Sequence, residues 1–348
     1  MTNILPLTLR FREKNISCPK WLIGRPQEAL LCAKAKRQQQ CFICAKAKRQ
    51  QQCFICGKAK RQQQSAQPER KSTPCYAHDL KNGIITLINK GGLALCKVEL
   101  VEFNDELLEG IGSYCLRSKK KSNGYINKNK WLNNRFEEGL KYVQVIANNK
   151  QVGFIEYTEA ENSSRVVHAD GYLVIHCLWV SEVGKGYGTR LINKCLEDAK
   201  KLAKKGVVVV TNSTTSWAPS KEIFLKNDFQ LIDTAPYGFE LLVYPLNNEA
   251  EQPYFPNDWE ERLKKFTNLT ILRSFQCPYV EVASENIIAG ANKLNIQVEI
   301  IDLKDREALM ELVPTPYGIF SVIYKGQLLS FQRLTIHSVI KKLRELTQ

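Results

Sequence analysis

Apolar and polar positions alternate regularly only from about residue 93 onward. LALCKVELVEF, residues 93–103, reads as a strand, and DELLEGIGSYCL opens a helix behind Asn104 or Asp105, both suitable N-caps. KWLNNRFEEGL, 130–140, has helical spacing and stops near Gly139. YVQVIANNKQVGFIEYTEA predicts two strands joined at an Asn-Asn-Lys turn. GYLVIHCLWV, 171–180, is too continuously apolar for a strand with one wet face, so it predicts a strand buried on both sides. A glycine-rich loop follows, then an amphipathic helix to about Lys204, the strand KGVVVVT, the helix SKEIFLKN and the strand FELLVYPL. Residues 247–256, rich in Asn, Glu and Pro, read as a linker. Residues 257–348 read β-α-β-α-β-β-α, a separate small α/β domain.

Upstream of residue 93 the texture is different. CFICAKAKRQQQ at 41–52 recurs as CFICGKAKRQQQ at 53–64, and LCAKAKRQQQ fills 31–40. Few apolar residues and much charge predict that residues 1–92 form a disordered, basic, Cys/Gln-rich extension. The net charge of +15 would suggest nucleic acid if it were spread evenly. It is not: residues 1–93 hold 18 Lys/Arg against 4 Asp/Glu, and the remainder is nearly neutral. Nucleic acid is therefore expected to make at most weak, salt-dependent contacts with the extension. No run approaches the roughly 20 apolar residues of a membrane span. MTNILPLTLRFREK lacks the apolar stretch and cleavage site of a secretory signal, so a cytoplasmic protein without a membrane partner is expected.

Seven of the twelve cysteines lie in the extension. Cys41 with Cys44, and Cys53 with Cys56, form CxxC pairs of the kind that hold zinc. The intervening AKAKRQQQ lacks turn residues, and a tandem duplication makes the second pair automatic. No metal is expected, these four thiols being the alternative set.

The stretch richest in chemistry is LWVSEVGKGYGTRLINKCLEDAKK. A buried strand runs into Gly184, Gly186 and Gly188, and a helix leaves them. Glycines let the chain turn tightly with its N–H groups inward, and with the helix N-terminus they make an anion site suited to a pyrophosphate. A P-loop is excluded, because no Gly-Lys-Ser/Thr closes the loop, and a dinucleotide fold lacks its early βαβ unit.

Val183-Gly184-Lys185-Gly186-Tyr187-Gly188 resembles the Arg/Gln-x-x-Gly-x-Gly/Ala loop of the GNAT superfamily of N-acetyltransferases, with Val183 in place of the leading Arg/Gln. WLNNRFEEG, FIEY, CLWVS, FLKNDF, DTAPYGFEL and FQCPYV extend the resemblance to the YoaP-like branch, from about Leu93 to the end. The resemblance implies an α/β (α+β) fold: a splayed mixed sheet over 93–246 and a thioredoxin-like domain over 257–348. It implies an acyltransferase moving acetyl from acetyl-CoA to the primary amine of a small molecule or peptide by direct attack. Leu178, Trp179 and Val180, then Val183 to Thr189 (with Lys185 and Tyr187 among them), would hold the cosubstrate. The family's general-acid Tyr falls on Phe224, and a usual Gly on Asp228.

A base or water chain must still take the ammonium proton. The residues leave three candidates open, Glu156, His176 and Tyr237, while Cys177 reads as packing. By resemblance, Cys277 in FQCPYV sits at a helix N-terminus that favours thiolate, with Pro316 as a cis-proline opposite. Val280 in the partner position excludes an internal Cys-x-x-Cys disulfide. Two rival readings follow: an acyl-CoA sensor without turnover, and a monothiol redox or interaction protein.

Overall fold

The computed structural model describes residues 97–215 and 217–347 in full, and the strands at 76–77, 84–89 and 92–96 as backbone. The repeats lie outside the described residues, and so do the four thiols of the alternative metal set, Cys41, Cys44, Cys53 and Cys56. Residues 74–348 form one compact unit.

A nine-stranded sheet carries the order β1-β2-β3-β4-β5-β6-β7-β9-β8. Its strands are β1 (Tyr76–Ala77), β2 (Ile84–Asn89), β3 (Gly92–Glu102), β4 (Lys141–Ala147), β5 (Lys150–Glu159), β6 (Tyr172–Val180), β7 (Gly206–Asn212), β8 (Gln230–Ala235) and β9 (Phe239–Pro245). Only the β6–β7 pair is parallel; every other neighbour runs antiparallel. β1 and β2 fall within the stretch read as a disordered extension, and their pairing onto β3 begins the sheet before residue 93. β8 is a further addition to the expected elements. Its positions are half exposed, as suits a strand at the sheet's edge, so it lacks a buried apolar stripe.

The helices explain where periodicity misleads. α1 is Asp105–Gly110, capped by Asn104 Oδ1, which accepts from Leu107 N at 3.0 Å. α2 runs Asn123–Glu137, earlier than the expected 130–140, and Ser122 caps it. Tyr125, Lys128, Trp131 and Leu132 share its buried face, and a buried lysine does not look like a core residue in the sequence. α3 (Tyr187–Lys201) buries Leu191, Ile192, Cys195, Leu196 and Ala199, one stripe at helical spacing laid on the sheet. α4 is Lys221–Leu225.

Residues 257–347 add α5 (Trp259–Lys264), β10 (Leu269–Arg273), α6 (Val280–Asn292), β11 (Val298–Asp302), α7 (Arg306–Leu312), β12 (Phe320–Tyr324), β13 (Gln327–Ser330) and α8 (Ile336–Thr347). Their sheet has the order β11-β10-β12-β13, with β10–β11 parallel and the rest antiparallel. This part does not hang from a loose tether. His168 and Tyr254 exchange two backbone hydrogen bonds, at 2.9 and 3.0 Å, and stack their rings at 4.8 Å. Tyr172 and Val174 of β6, Val208 and Val210 of β7, and Phe239 and Leu241 of β9 join Leu269, Ile271 and Val280 in one continuous core. The large sheet is thus covered by α3 on one face and by the C-terminal elements on the other.

Phe239 sits at this seam, fully buried, with Phe331 5.0 Å and Tyr317 6.3 Å away, centroid to centroid. Phe239→Ala should cost about 3–5 kcal/mol through lost burial and a residual cavity. Because the core is shared, calorimetry should show residues 93–348 unfolding in one transition, shifted down together; two separated transitions would contradict the shared core.

Candidate functional site

The site begins with a break in a ladder. β6 pairs with β7 from Tyr172↔Gly206 to Ile175↔Val209, and there the pairing stops although both strands continue. On its other side β6 pairs with β5, where Glu156 faces Cys177 and Tyr157 faces Ile175, leaving His176 as an extra, bulged residue. A bulge bends its strand and raises the local twist. It also breaks the alternation. Leu173 and Ile175 face the α3 side, His176 and Cys177 both turn away from it, and Leu178 and Val180 return to the α3 side. Beyond the bulge, β6 leans away from β7 and a cleft of about 800 Å³ opens between the strand ends.

Leu178, Trp179, Val180, Val183, Gly184, Gly186, Tyr187, Gly188 and Thr189 line that cleft; Lys185 is not among the lining residues. The loop folds as its glycines require: Gly184 has φ +82° and Gly186 φ +74°, and a side chain at either would point into open space. At Gly188 a Cβ would lie 2.3 Å from Ile223 Cδ1, so a larger residue would require that side chain to move. α3 starts at Tyr187, so the positive end of its dipole faces the loop. The opposite wall brings Asn212, Ser213, Thr215, Trp217, Ile223 and Lys226. Phe224, at the position of the expected general acid, is fully buried against Phe229, so it packs. Asp228 has φ +64°, the left-handed conformation for which a glycine would be the easy choice.

Behind the bulge lies a buried polar relay, which the sequence did not announce. Lys128 Nζ meets Glu156 Oε2 at 2.5 Å and stands 4.4 Å over the Trp131 ring. His176 Nδ1 is 3.3 Å from Glu156 Oε1, outside good hydrogen-bond geometry. His176 Nε2 accepts from Ser164 N at 2.9 Å and lies 3.0 Å from Ser163 Oγ. Accepting a backbone N–H leaves Nε2 bare and puts the ring proton on Nδ1, toward Glu156. Arg165, fully buried, donates to Ser164 O at 3.1 Å, Gln276 Oε1 at 2.7 Å and the His176 carbonyl, and stacks 4.6 Å over Tyr317. Its partners are all neutral.

Charge in this relay is fixed by surroundings. Burial pushes the Glu156 carboxyl up, but Lys128 and then His176 outweigh it and hold the pKa down at about 2. Burial lowers His176 to about 4 against the pull of Glu156, so the ring is neutral at pH 7. Both side chains are about 1% exposed and neither lines the cleft, so neither is placed to receive a proton from a bound amine. Tyr237 is 44% exposed with φ +65°, held by Asn212 Nδ2 donating to its carbonyl at 3.0 Å, and it too stands outside the cleft lining.

The thiol expectations are corrected. Cys277 precedes α6, but burial pushes its pKa up to about 11, overriding the backbone hydrogen bond from Tyr279 that lowers it. A thiolate is not favoured there. Pro316 is trans, like every described peptide bond. Its loop is strapped to the large sheet's side of the molecule: Val166 N donates to Pro316 O at 3.1 Å, and Arg165 and Tyr317 form an antiparallel bridge. Cys177 does line the cleft, with its pKa raised well above the ordinary thiol value by burial. Among the described residues no three His, Cys, Asp or Glu side chains gather as a metal site, a statement that does not reach Cys41, Cys44, Cys53 and Cys56.

Residues 110–218 match the model of the Acetyltransferase (GNAT) family. The "Uncharacterized N-acetyltransferase YoaP" of Bacillus subtilis (strain 168) is 27% identical over 256 residues, which are 72% of this chain and 100% of that protein. Among solved structures, the PaiA N-acetyltransferase of Thermoplasma acidophilum in complex with coenzyme A is 16% identical, covering 42% of this chain and 98% of that one, with a TM-score of 0.32. The putative acetyltransferase YncA of Salmonella typhimurium with acetyl-CoA is 13% identical, covering 44% and 96%, with a TM-score of 0.33. Residues 110–218 are thus similar to the Acetyltransferase (GNAT) family.

Proposed function

We propose that the protein transfers an acetyl group from acetyl-CoA to a primary amine by direct attack, within the cleft between β6 and β7. The observation that carries this is the ladder that ends at Ile175↔Val209 while both strands run on. A strand paired on one side only has every second N–H and C=O free on the other. Those groups suit the amides of a pantetheine arm, and one N–H is available to polarise the thioester carbonyl. The pyrophosphate goes to the loop of Val183 to Gly188 and the start of α3, where backbone N–H groups replace the side chain that Val183 cannot supply. The amine nitrogen attacks the carbonyl carbon, the C–S bond breaks and coenzyme A leaves as its thiol. No covalent enzyme intermediate is required, and the raised pKa of Cys177 keeps it unreactive.

The buried relay then positions rather than catalyses. Glu156, Lys128 and Arg165 fix the His176 bulge, and the bulge opens the cleft. The C-terminal part, whose strand order and Cys277-to-α6 turn support a thioredoxin-like domain, docks on Arg165 and Val166 through Gln276 and Pro316. That docking favours a role in shaping the acceptor site over monothiol redox chemistry. A cytoplasmic location is part of this proposal; among the described residues no helix is long and apolar enough to cross a membrane. The second reading is a sensor that binds acetyl-CoA without turnover, favoured by the distance of every candidate base from the cleft. Calorimetric titration with acetyl-CoA, then coenzyme A release over an amine panel, separates the two: binding with release supports the transferase, binding without release the sensor.

Gly186→Glu should abolish acetyl-CoA binding, because a carboxylate would fill the space meant for the pyrophosphate. The left-handed φ costs a non-glycine residue about 1–2 kcal/mol, so circular dichroism should report an intact fold. Undiminished affinity would remove the loop from the site.

His176 also makes a prediction about acid. Its folded pKa, about 4, lies below the ordinary 6.5, so the unfolded chain binds the proton more readily. The stabilisation is fully present above pH 6.5 and is lost as pH falls toward 4. The loss should amount to about 3 kcal/mol, and His176→Asn should flatten stability across that window in urea titrations. An unchanged pH dependence would mean that His176 is not buried neutral.

A further inference from the structure

Cys177 and Trp179, on the face of β6 turned away from α3, form one wall of the cleft. Trp179 is 49% exposed, with Tyr114 5.2 Å away, and the Arg117 guanidinium covers the Tyr114 ring at 4.3 Å. Trp217 faces the cleft from the other wall. Carboxylates in the cleft lining are confined to Glu182 in the loop and Glu222 in α4, where Glu222 is held by Ser220. Neither stands on the strand that presents the thioester.

The charges behind this wall do not cancel. Lys128 and Glu156 neutralise each other, and His176 is uncharged. Arg165 hydrogen-bonds only neutral oxygens and forms no ion pair among the described residues, leaving one uncompensated positive charge beneath the bulge. The thiols of Cys115, Cys177 and Cys277 and the phenols of Tyr142, Tyr279 and Tyr317 near the same region are neutral, and Arg117 adds a further positive charge, so none supplies the missing negative charge. An alkylammonium against Trp179 would approach a buried cation, while the carboxylates of the cleft, Glu182 and Glu222, belong to the loop and α4 instead of this wall. A flat amine that is already neutral meets neither obstacle, and its ring can lie against the indole of Trp179.

We propose that the acceptor is a weakly basic aromatic amine, bound uncharged against Trp179. This rests on the transferase reading above. The step balances without an enzyme base: the aryl nitrogen bonds to the acetyl carbon, the C–S bond breaks, and one N–H proton ends on the departing coenzyme A sulfur.

The test uses the full chain with saturating acetyl-CoA and compares aniline with benzylamine, which carry the same ring but differ in being neutral or cationic at neutral pH. At pH 7 the kcat/KM for aniline should exceed that for benzylamine by at least about tenfold, because a buried unit charge repels an ammonium through a medium of low effective dielectric. The aniline rate should be flat between about pH 6 and 9, while the benzylamine rate climbs with its free-base fraction. Acetyl-CoA binding with release that is equal on the two amines, greater on benzylamine, or absent on aniline would overturn the acceptor class alone. Absence of acetyl-CoA binding would overturn the transferase reading and the acceptor with it.

Discussion

A β-strand in the middle of a sheet must place its N–H and C=O groups on both flanks, and β6 stops doing so after Ile175. The cost of leaving those groups without protein partners is tolerable only because the cleft is open to solvent and ligand. Everything near the site answers to that break. The bulge at His176 turns the strand away from β7, the glycine loop reverses the chain at the mouth, and α3 returns along the sheet with its N-terminus at the opening. The same residues that create the defect keep it in place, since Arg165 holds the His176 carbonyl and Glu156 faces its ring.

That arrangement concentrates buried charge beside an opening, and the balance is delicate. Lys128 and Glu156 are each nearly inaccessible, and their pairing offsets desolvation that neither would tolerate alone. Arg165 has the harder position. Its cost is met by three neutral acceptors and by the face of Tyr317, one of those acceptors and the ring coming from the C-terminal part. A guanidinium suits this role because its planar fork can reach several carbonyl oxygens at once while stacking on an aromatic ring.

The sequence made the entry to the site legible and hid its support. Continuous apolar residues in LVIHCLWV and the spacing of Gly184, Gly186 and Gly188 carry strong local signals, so strand, loop and helix were readable together. Long-range partnerships leave no such trace. Arg165 and Gln276 are 111 positions apart, and Lys128 and Glu156 are 28 apart. Lys128 and Arg165 look like surface residues until the fold supplies partners. Cys277 misled in the opposite direction, because its place ahead of a helix pointed to a thiolate while burial, invisible in one dimension, reversed the sign. β8 escaped because an edge strand with half-exposed positions has neither a helical stripe nor a buried run. Glu156 and His176 stood out as candidate bases, and the fold buries both behind the cleft lining.

The continuous core between the large sheet and the C-terminal elements also bears on how such a chain can change over generations. Phe239, Tyr317 and Phe331 belong to distant parts of the sequence yet share one packing problem. A recombination joint at residues 247–256 would look harmless on paper, since the stretch is polar and short. It would nonetheless strip an aromatic surface from one fragment and leave Arg165 without Gln276, so neither half keeps its packing without the other.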